Sequence, residues 1–167
     1  RKTKKGSGTR YQSFIISKPV ALFLKNIGVP VGNKTNTPFQ VPEWVVKGSS
    51  ETKSAYLRGL YDNEGTIYSN MEKTHKRWRI DFKMAKNEKL LSYGISYFEQ
   101  IRTILLEFGI NTSPVNYCKL NVRKDGSTSV LMRIAIEKSS FRNFLKYVGF
   151  DHPEKQEKLL FALRVGG

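Results

Sequence analysis

The sequence predicts an α+β fold. In it, a four-stranded antiparallel sheet carries helices on one face, in the order αββαββα. Three observations predict it. Four short segments alternate apolar and polar residues with the period of a strand. Between them lie runs with helical periodicity that end on glycine. On the four strands the outward positions are mostly Arg, Lys, Asn, Tyr, Ser and Thr, so one sheet face is wet.

Residues 1–50 read as an N-terminal extension and residues 51–167 as the core domain. The extension opens on a basic arm, Arg1 to Gly8, followed by a strand from Tyr11 to Ile16. The chain starts at Arg1 rather than Met, so further upstream residues are expected. Ser17 opens a helix that ends Phe23-Leu24-Lys25-Asn26-Ile27-Gly28-Val29. A left-handed glycine just past a helix, with the next apolar residue packing back, fits that pattern. The loop from Pro30 to Pro42 then leads to Glu43-Trp44-Val45.

The core domain opens with a helix over Glu51 to Asp62. Ala55, Tyr56, Leu57, Gly59, Leu60 and Tyr61 make it apolar on nearly every side, so it needs two burial partners. A strand from Thr66 to Met71 puts Thr66, Tyr68 and Asn70 on one face. In the next strand Trp78, Ile80, Phe82 and Met84 face the core, and Arg77, Arg79, Asp81 and Lys83 face outward. A helix over Gly94 to Phe108 aligns Ile95, Phe98, Ile101, Leu105 and Phe108, and ends on Gly109. In the third strand Cys118, Leu120 and Val122 alternate with Tyr117, Lys119, Asn121 and Arg123. Asp125-Gly126 turns the chain into a fourth strand, with Val130, Met132, Ile134 and Ile136 inward and Ser129, Leu131, Arg133 and Ala135 outward. Ser139 or Ser140 starts a helix ending on Gly149. Asp151-His152-Pro153-Glu154 resembles a capping box opening a last helix to about Arg164.

Lys and Arg total 29 against 14 Asp and Glu, a net charge of +15. Such an imbalance favours a polyanionic partner, nucleic acid before an anionic membrane surface. No run reaches the roughly 18 apolar residues of a membrane span, and no secretory signal is seen, so an intracellular protein is expected. The lone cysteine, Cys118, excludes an internal disulfide and reads as a core thiol. Two histidines, His75 and His152, are too few for a histidine metal site within one chain.

The basic face suits duplex DNA. Arg pairs with guanine edges and Asn with adenine, and the remaining cations meet phosphates. The candidate contacts are Thr66, Tyr68, Asn70, Arg77, Arg79, Lys83, Tyr117, Lys119, Asn121, Arg123, Ser129 and Arg133. RNA is a weaker expectation. RNA-recognition sheets stack bases on paired central aromatics, whereas Trp78 and Phe82 fall on the core side here.

Leu57-Arg58-Gly59-Leu60-Tyr61-Asp62-Asn63-Glu64-Gly65 resembles the nine-residue LAGLIDADG motif. Leu57, Gly59, Leu60, Asp62 and Gly65 match directly, and Glu64 stands where the family has a second Asp. Arg58, Tyr61 and Asn63 fall at variable positions. With the flanking Gly28-Val29-Pro30 and Pro42-Glu43-Trp44, the resemblance extends over about residues 14–150. It is to single-motif, archaeal intron- and intein-encoded homing endonucleases. Neither end of the sequence carries intein splicing residues, and an intron-encoded member is expected.

The resemblance implies a saddle-shaped sheet and metal-dependent hydrolysis of both strands of a long, near-palindromic duplex. It implies that Glu64 coordinates Mg²⁺ (or another divalent ion such as Mn²⁺), helped by the Asn63 carbonyl, with Ca²⁺ supporting binding without cleavage. It places Lys83 and Lys138 near the scissile phosphates as catalytic residues, and makes Asp62 a structural cap. Ala55 and Gly59 lie one turn apart and form a small-residue strip for a twin helix. Only one acid-ended motif helix is found, so a homodimer is expected. Two alternatives share this scaffold, a non-cleaving DNA-binding regulator and an RNA maturase for intron splicing. A generic basic interaction module without catalysis is a third reading.

Overall fold

The computed structural model describes residues 16–72, 75–122 and 126–165, together with 3–4 and 9–10. The strand expected over 11–16, apart from Ile16, lies outside the described residues, as do most of the basic arm, Arg123 and Asp125. Two-residue strands β1 (Thr3–Lys4) and β2 (Thr9–Arg10) pair antiparallel. Helices α1 (Lys18–Asn26), α2 (Glu43–Val46) and α3 (Ser50–Asn63) follow. Then come β3 (Gly65–Glu72), β4 (His75–Asn87), α4 (Leu91–Glu107), β5 (Asn116–Val122), β6 (Thr128–Ile136), α5 (Phe141–Tyr147) and α6 (Pro153–Val165). The second sheet is four-stranded, antiparallel and ordered β3-β4-β6-β5. The α+β fold class predicted from the sequence is the one observed.

The glycine-terminated helices behave as expected. Gly28, Gly109 and Gly149 all have positive φ, at 90°, 64° and 61°. Val29 N–H returns to the Leu24 carbonyl and Ile110 N–H to the Leu105 carbonyl, both at 3.0 Å. Ser17 caps α1 by accepting from the Val20 amide. Helix α4 begins three residues before the expected Gly94, because Asn87 caps the 3₁₀ turn Glu88–Leu90 that feeds it. Gly94 lies inside the helix for a packing reason: a Cβ there would meet the Met132 methyl at 2.3 Å. The missing side chain lets α4 settle onto β4 and β6.

The core joins Leu57 and Tyr61 of α3, Ile80 and Phe82 of β4, Phe98 and Ile101 of α4, Met132 and Ile134 of β6, and Phe144 of α5. Val41 and Val45 belong to the same cluster, so packing runs across the expected boundary at residue 50. Helix α1 buries none of its residues. It is tethered through its end, where the Trp44 indole donates to the Ile27 carbonyl at 2.8 Å.

Strand β5 departs from expectation. Its register with β6 shifts between Tyr117 and Lys119. A bulge of this kind puts an extra residue into one strand and changes which side chains share a face. Cys118 sits at the bulge on the sheet's edge and is exposed, not a core thiol. Leu120 and Val122 are exposed as well. Among the described residues, no helix is long and apolar enough to cross a membrane.

Lys86 is fully buried beneath this sheet. Its ammonium donates to the carbonyls of Lys34 at 2.7 Å and Thr37 at 2.5 Å, and lies 3.9 Å from the centre of the Phe39 ring. It fastens the 30–42 loop to β4, aided by the Asn87 amide on the Thr35 carbonyl. Burial pushes the Lys86 pKa down to about 8. The folded chain therefore releases this proton before the unfolded chain does. Stability rises with pH from about 8 toward the ordinary lysine value. Urea midpoints for the wild type and Lys86→Met, compared from pH 8 to 10, should diverge in the wild type's favour as pH increases. Parallel curves would refute the assignment.

Candidate nucleic-acid interface

The motif helix α3 starts at Ser49, whose hydroxyl accepts from the Thr52 amide. One face is buried through Leu57 and Tyr61. The same helix is tied to the end of α5 by Ser54 on the Tyr147 carbonyl and Arg58 on the Val148 carbonyl. The helix is not buried on all sides. Ala55, Gly59 and Asn63 are exposed, and a Cβ on Gly59 would meet nothing within 4 Å. The protomer's own packing therefore does not require glycine at 59.

Glu64 is the C-cap residue, where the helix's partial negative charge is concentrated. Two lysines answer that charge. Lys155 donates to the carbonyls of Tyr61, Asp62 and Gly65 at 3.1, 2.6 and 2.7 Å. The Asn63 carbonyl is not among them. Lys34, from the loop fastened by Lys86, pairs with Glu64 Oε1 at 2.5 Å. The Glu64 side chain stays 43% exposed, open to solvent despite that pair. Asp62 is a cap, but for another helix. Its carboxylate accepts from the Asp151 and His152 amides at 3.1 and 3.2 Å, just before α6. The expected local capping box is thus replaced by an acid from α3. Ser140 also serves elsewhere than expected, accepting from the Asn111 amide instead of capping α5.

A cavity of about 630 Å³ opens beside α3. Glu64, Lys83 and Lys34 all line it, with Tyr56 and Leu60 from α3 and Trp44 from α2. The fold therefore brings two of the expected catalytic residues, Glu64 and Lys83, to one cavity. Lys83 pairs in register with Arg133 of β6. Lys138 lies elsewhere. It is exposed in the 3₁₀ turn after β6, beyond the Ile80–Ile136 pair that ends the register, and does not line the cavity.

The polar sheet face forms from cross-strand rows. Thr66 lies opposite Asp81, Tyr68 opposite Arg79, and Asn70 opposite Arg77. Arg133 lies between Lys83 and Asn116, and Ser129 between Asn87 and Asn121. Lys119 stands opposite Leu131. Tyr117 is not in this set. The bulge sets it opposite the core residue Met132, and Asn116 takes the place beside Arg133. Ser129 shares the face by register but is buried.

Two residues were missed by sequence reasoning. Lys34 sits thirty residues before Glu64 in an irregular loop, and no periodicity signals their meeting. Asp81 carried a signal, an acid flanked by Arg79 and Lys83 at an outward position of a basic strand. It is fully buried, and its Oδ2 accepts from the Tyr68 hydroxyl at 2.7 Å. Partial burial, followed by that bond to Asp81, raises the Tyr68 pKa.

Among the described residues no three His, Cys, Asp or Glu side chains cluster as a metal site. One chain offers Glu64 and neighbouring backbone carbonyls, a hard oxygen donor set that suits Mg²⁺ but falls short of its six ligands. Lys34 on Glu64 shows that this oxygen attracts a cation. The donors fit a divalent ion only if a second acid or phosphate oxygens complete the set.

Comparison with known proteins places this arrangement. The family model described as "LAGLIDADG-like domain" matches residues 51–149. The tRNA-splicing ligase RtcB of Methanopyrus kandleri is 27% identical over 158 residues, 94% of this chain and 15% of that protein. The glutamine–fructose-6-phosphate aminotransferase of Methanocaldococcus jannaschii is 29% identical over 156 residues, 93% of this chain and 13% of that protein. The replication factor C small subunit of the same organism is 28% identical over 138 residues, 81% of this chain and 7% of that protein. The chain thus spans a small part of the curated relatives it matches. No solved structure matches. The family match runs from the start of the motif helix to the glycine after α5, and the chain belongs to the LAGLIDADG homing endonuclease family.

Proposed function

We propose that this chain is a site-specific endonuclease that binds duplex DNA as a homodimer and hydrolyses both strands with divalent metal ions. The observation that carries the reading is the end of α3. An exposed Glu64 opens into the same cavity as Lys83, next to a helix face left bare at Ala55 and Gly59. Two copies packed along that face would bring two Glu64 carboxylates together. That closeness is unfavourable unless cations lie between them.

In this reading Glu64 and the Asn63 carbonyl of each copy would hold the metal, and phosphate oxygens would complete its ligands. A bound Mg²⁺ supplies charge neutralisation at the scissile phosphate and activation of the attacking water. Lys34 gives up its place on Glu64 and becomes available to a phosphate. Lys83 holds a second positive charge at the cavity wall. The face running from Thr66, Tyr68 and Asn70 through Arg77, Arg79 and Arg133 to Asn121 contacts the duplex.

The comparisons support a mobile module over a host activity. These relatives are a tRNA-splicing ligase, an aminotransferase and a replication factor subunit, which share no chemistry. Each is matched over at most 15% of its length. A stretch found in such unrelated proteins is unsuited to carrying any one of their activities. It suits an inserted element whose own function is to cut DNA.

Selection of cleaved sites from a random duplex library in Mg²⁺ tests the reading directly. Glu64→Gln should abolish cleavage of the selected site while preserving binding to it in Ca²⁺. Undiminished cleavage by that variant would exclude the metal role. Selection that yields bound but never cleaved sites would favour the non-cleaving regulator.

Gly59→Leu separates dimer from fold. Nothing in the protomer obstructs the new side chain. Leu is also the better helix former by up to about 1 kcal/mol. The variant should keep the wild-type circular dichroism spectrum and cooperative melting yet sediment as a monomer. A dimer of unchanged mass would remove α3 from the interface.

A further inference from the structure

Asp81 is the only fully buried acid among the described residues, and it lies in the middle of a strongly basic face. Three strands converge on it. From β3 the Tyr68 hydroxyl donates to Oδ2 at 2.7 Å. From β4 the Lys83 ammonium stands 3.2 Å from the same oxygen. From β6 the Arg133 guanidinium reaches it at 3.7 Å. Lys83 also lies 5.4 Å from the centre of the Tyr68 ring. Oδ1 is buried without a hydrogen-bond partner, as is Arg133 Nε. The cluster is therefore incompletely satisfied as it stands.

The two cross-strand neighbours directly opposite Asp81, Thr66 and Ala135, are uncharged and make no ion pair with it. A buried carboxylate leaves water unfavourably, and hydrophobic or neutral replacements of buried ion pairs are often no less stable. What the acid does is electrostatic. It holds two cations at fixed places and offsets part of their charge before any phosphate arrives.

We propose that Asp81 is a specificity-determining residue, an internal counter-ion that withholds Lys83 and Arg133 from non-target duplex. Affinity for arbitrary DNA comes almost wholly from cations on phosphates, released counterions supplying the driving force. A lysine and an arginine already paired with Asp81 contribute little to that term. At the target, closer docking presents groups that replace the carboxylate as their partner. The face thus binds weakly where it should not stay. This inference rests on the duplex-binding reading above.

The test is Asp81→Asn, which keeps the size and an acceptor for Tyr68 but removes the charge. Binding to a fixed non-target duplex is followed by fluorescence anisotropy across a salt series, for wild type and variant. The variant should bind non-target duplex more tightly. Its plot of log affinity against log salt should be steeper by about 0.9 for each cation released, one or two in all. A merely structural role would lower the melting temperature and leave that slope unchanged. An unchanged slope in folded Asp81→Asn overturns the proposal alone. Wild-type protein with no salt-dependent duplex binding overturns the proposal and the DNA reading together. Should Asp81→Asn fail to fold, Asp81→Asn/Arg133→Met is compared with Arg133→Met. The stranded guanidinium is then gone, and a slope steeper by about one is expected from Lys83. Equal slopes in that pair again overturn the proposal.

Discussion

The structure turns on the carboxyl end of α3. A helix terminus already carries partial negative charge, and this one closes on Asp62 and Glu64. Each neighbouring element answers that charge. Lys155 of α6 donates to three carbonyls there, and Asp62 in turn holds the amides that precede α6. The two helices therefore cap each other. Lys34 reaches Glu64 from a loop that Lys86 fastens to the sheet. Asp62 is consumed by structure, and Glu64 is left facing a cavity, half exposed, with Lys34 as its ion-pair partner. That division of labour between the two acids makes one terminus both a joint of the fold and an exposed acidic edge.

The sheet repeats the theme with the opposite sign. Its polar face gathers cations that repel one another, and a single buried carboxylate at Asp81 collects two of them. Surface ion pairs contribute little, but Asp81 is fully buried, and its interactions are less screened than exposed ones. Lys83 connects the two regions, since it pairs with Asp81 and also lines the cavity that holds Glu64. The interface and the acidic loop are thus electrostatically continuous.

Much of this was legible in the sequence, where local chemistry determines the outcome. The three helix-ending glycines, the inward row Ile80-Phe82-Met84 and the acid-ended motif helix all follow from period, backbone freedom and residue type. What escaped depends on distant partners. Tyr117 and Cys118 look like continuous alternation, but the bulge that displaces them is set by pairing with β6. Asp151-His152-Pro153-Glu154 reads as a self-sufficient cap, yet the acceptor comes from Asp62, some ninety residues earlier. Lys86 fits the inward row of its strand, but no pattern reveals the loop carbonyls that receive its ammonium. Sequence patterns report which face a residue takes; they do not report which remote group completes its bonds.

Gly59 shows how a residue can be informative through what it does not do. Gly65 and Gly94 are explained within the protomer, since a Cβ at either would strike neighbouring atoms. Gly59 has open space instead, and a glycine in a helix interior is destabilising by roughly 1 kcal/mol relative to alanine. An unfavourable residue with no internal reason points to a constraint outside the protomer. Ala55 lies one turn away on the same exposed strip, and Glu64 just beyond its end. The close-packed second copy proposed above would account for the small residues. The same neighbour would give the protruding acid a second carboxylate to share cations with. One such external contact would then explain two features that the isolated fold leaves without cause.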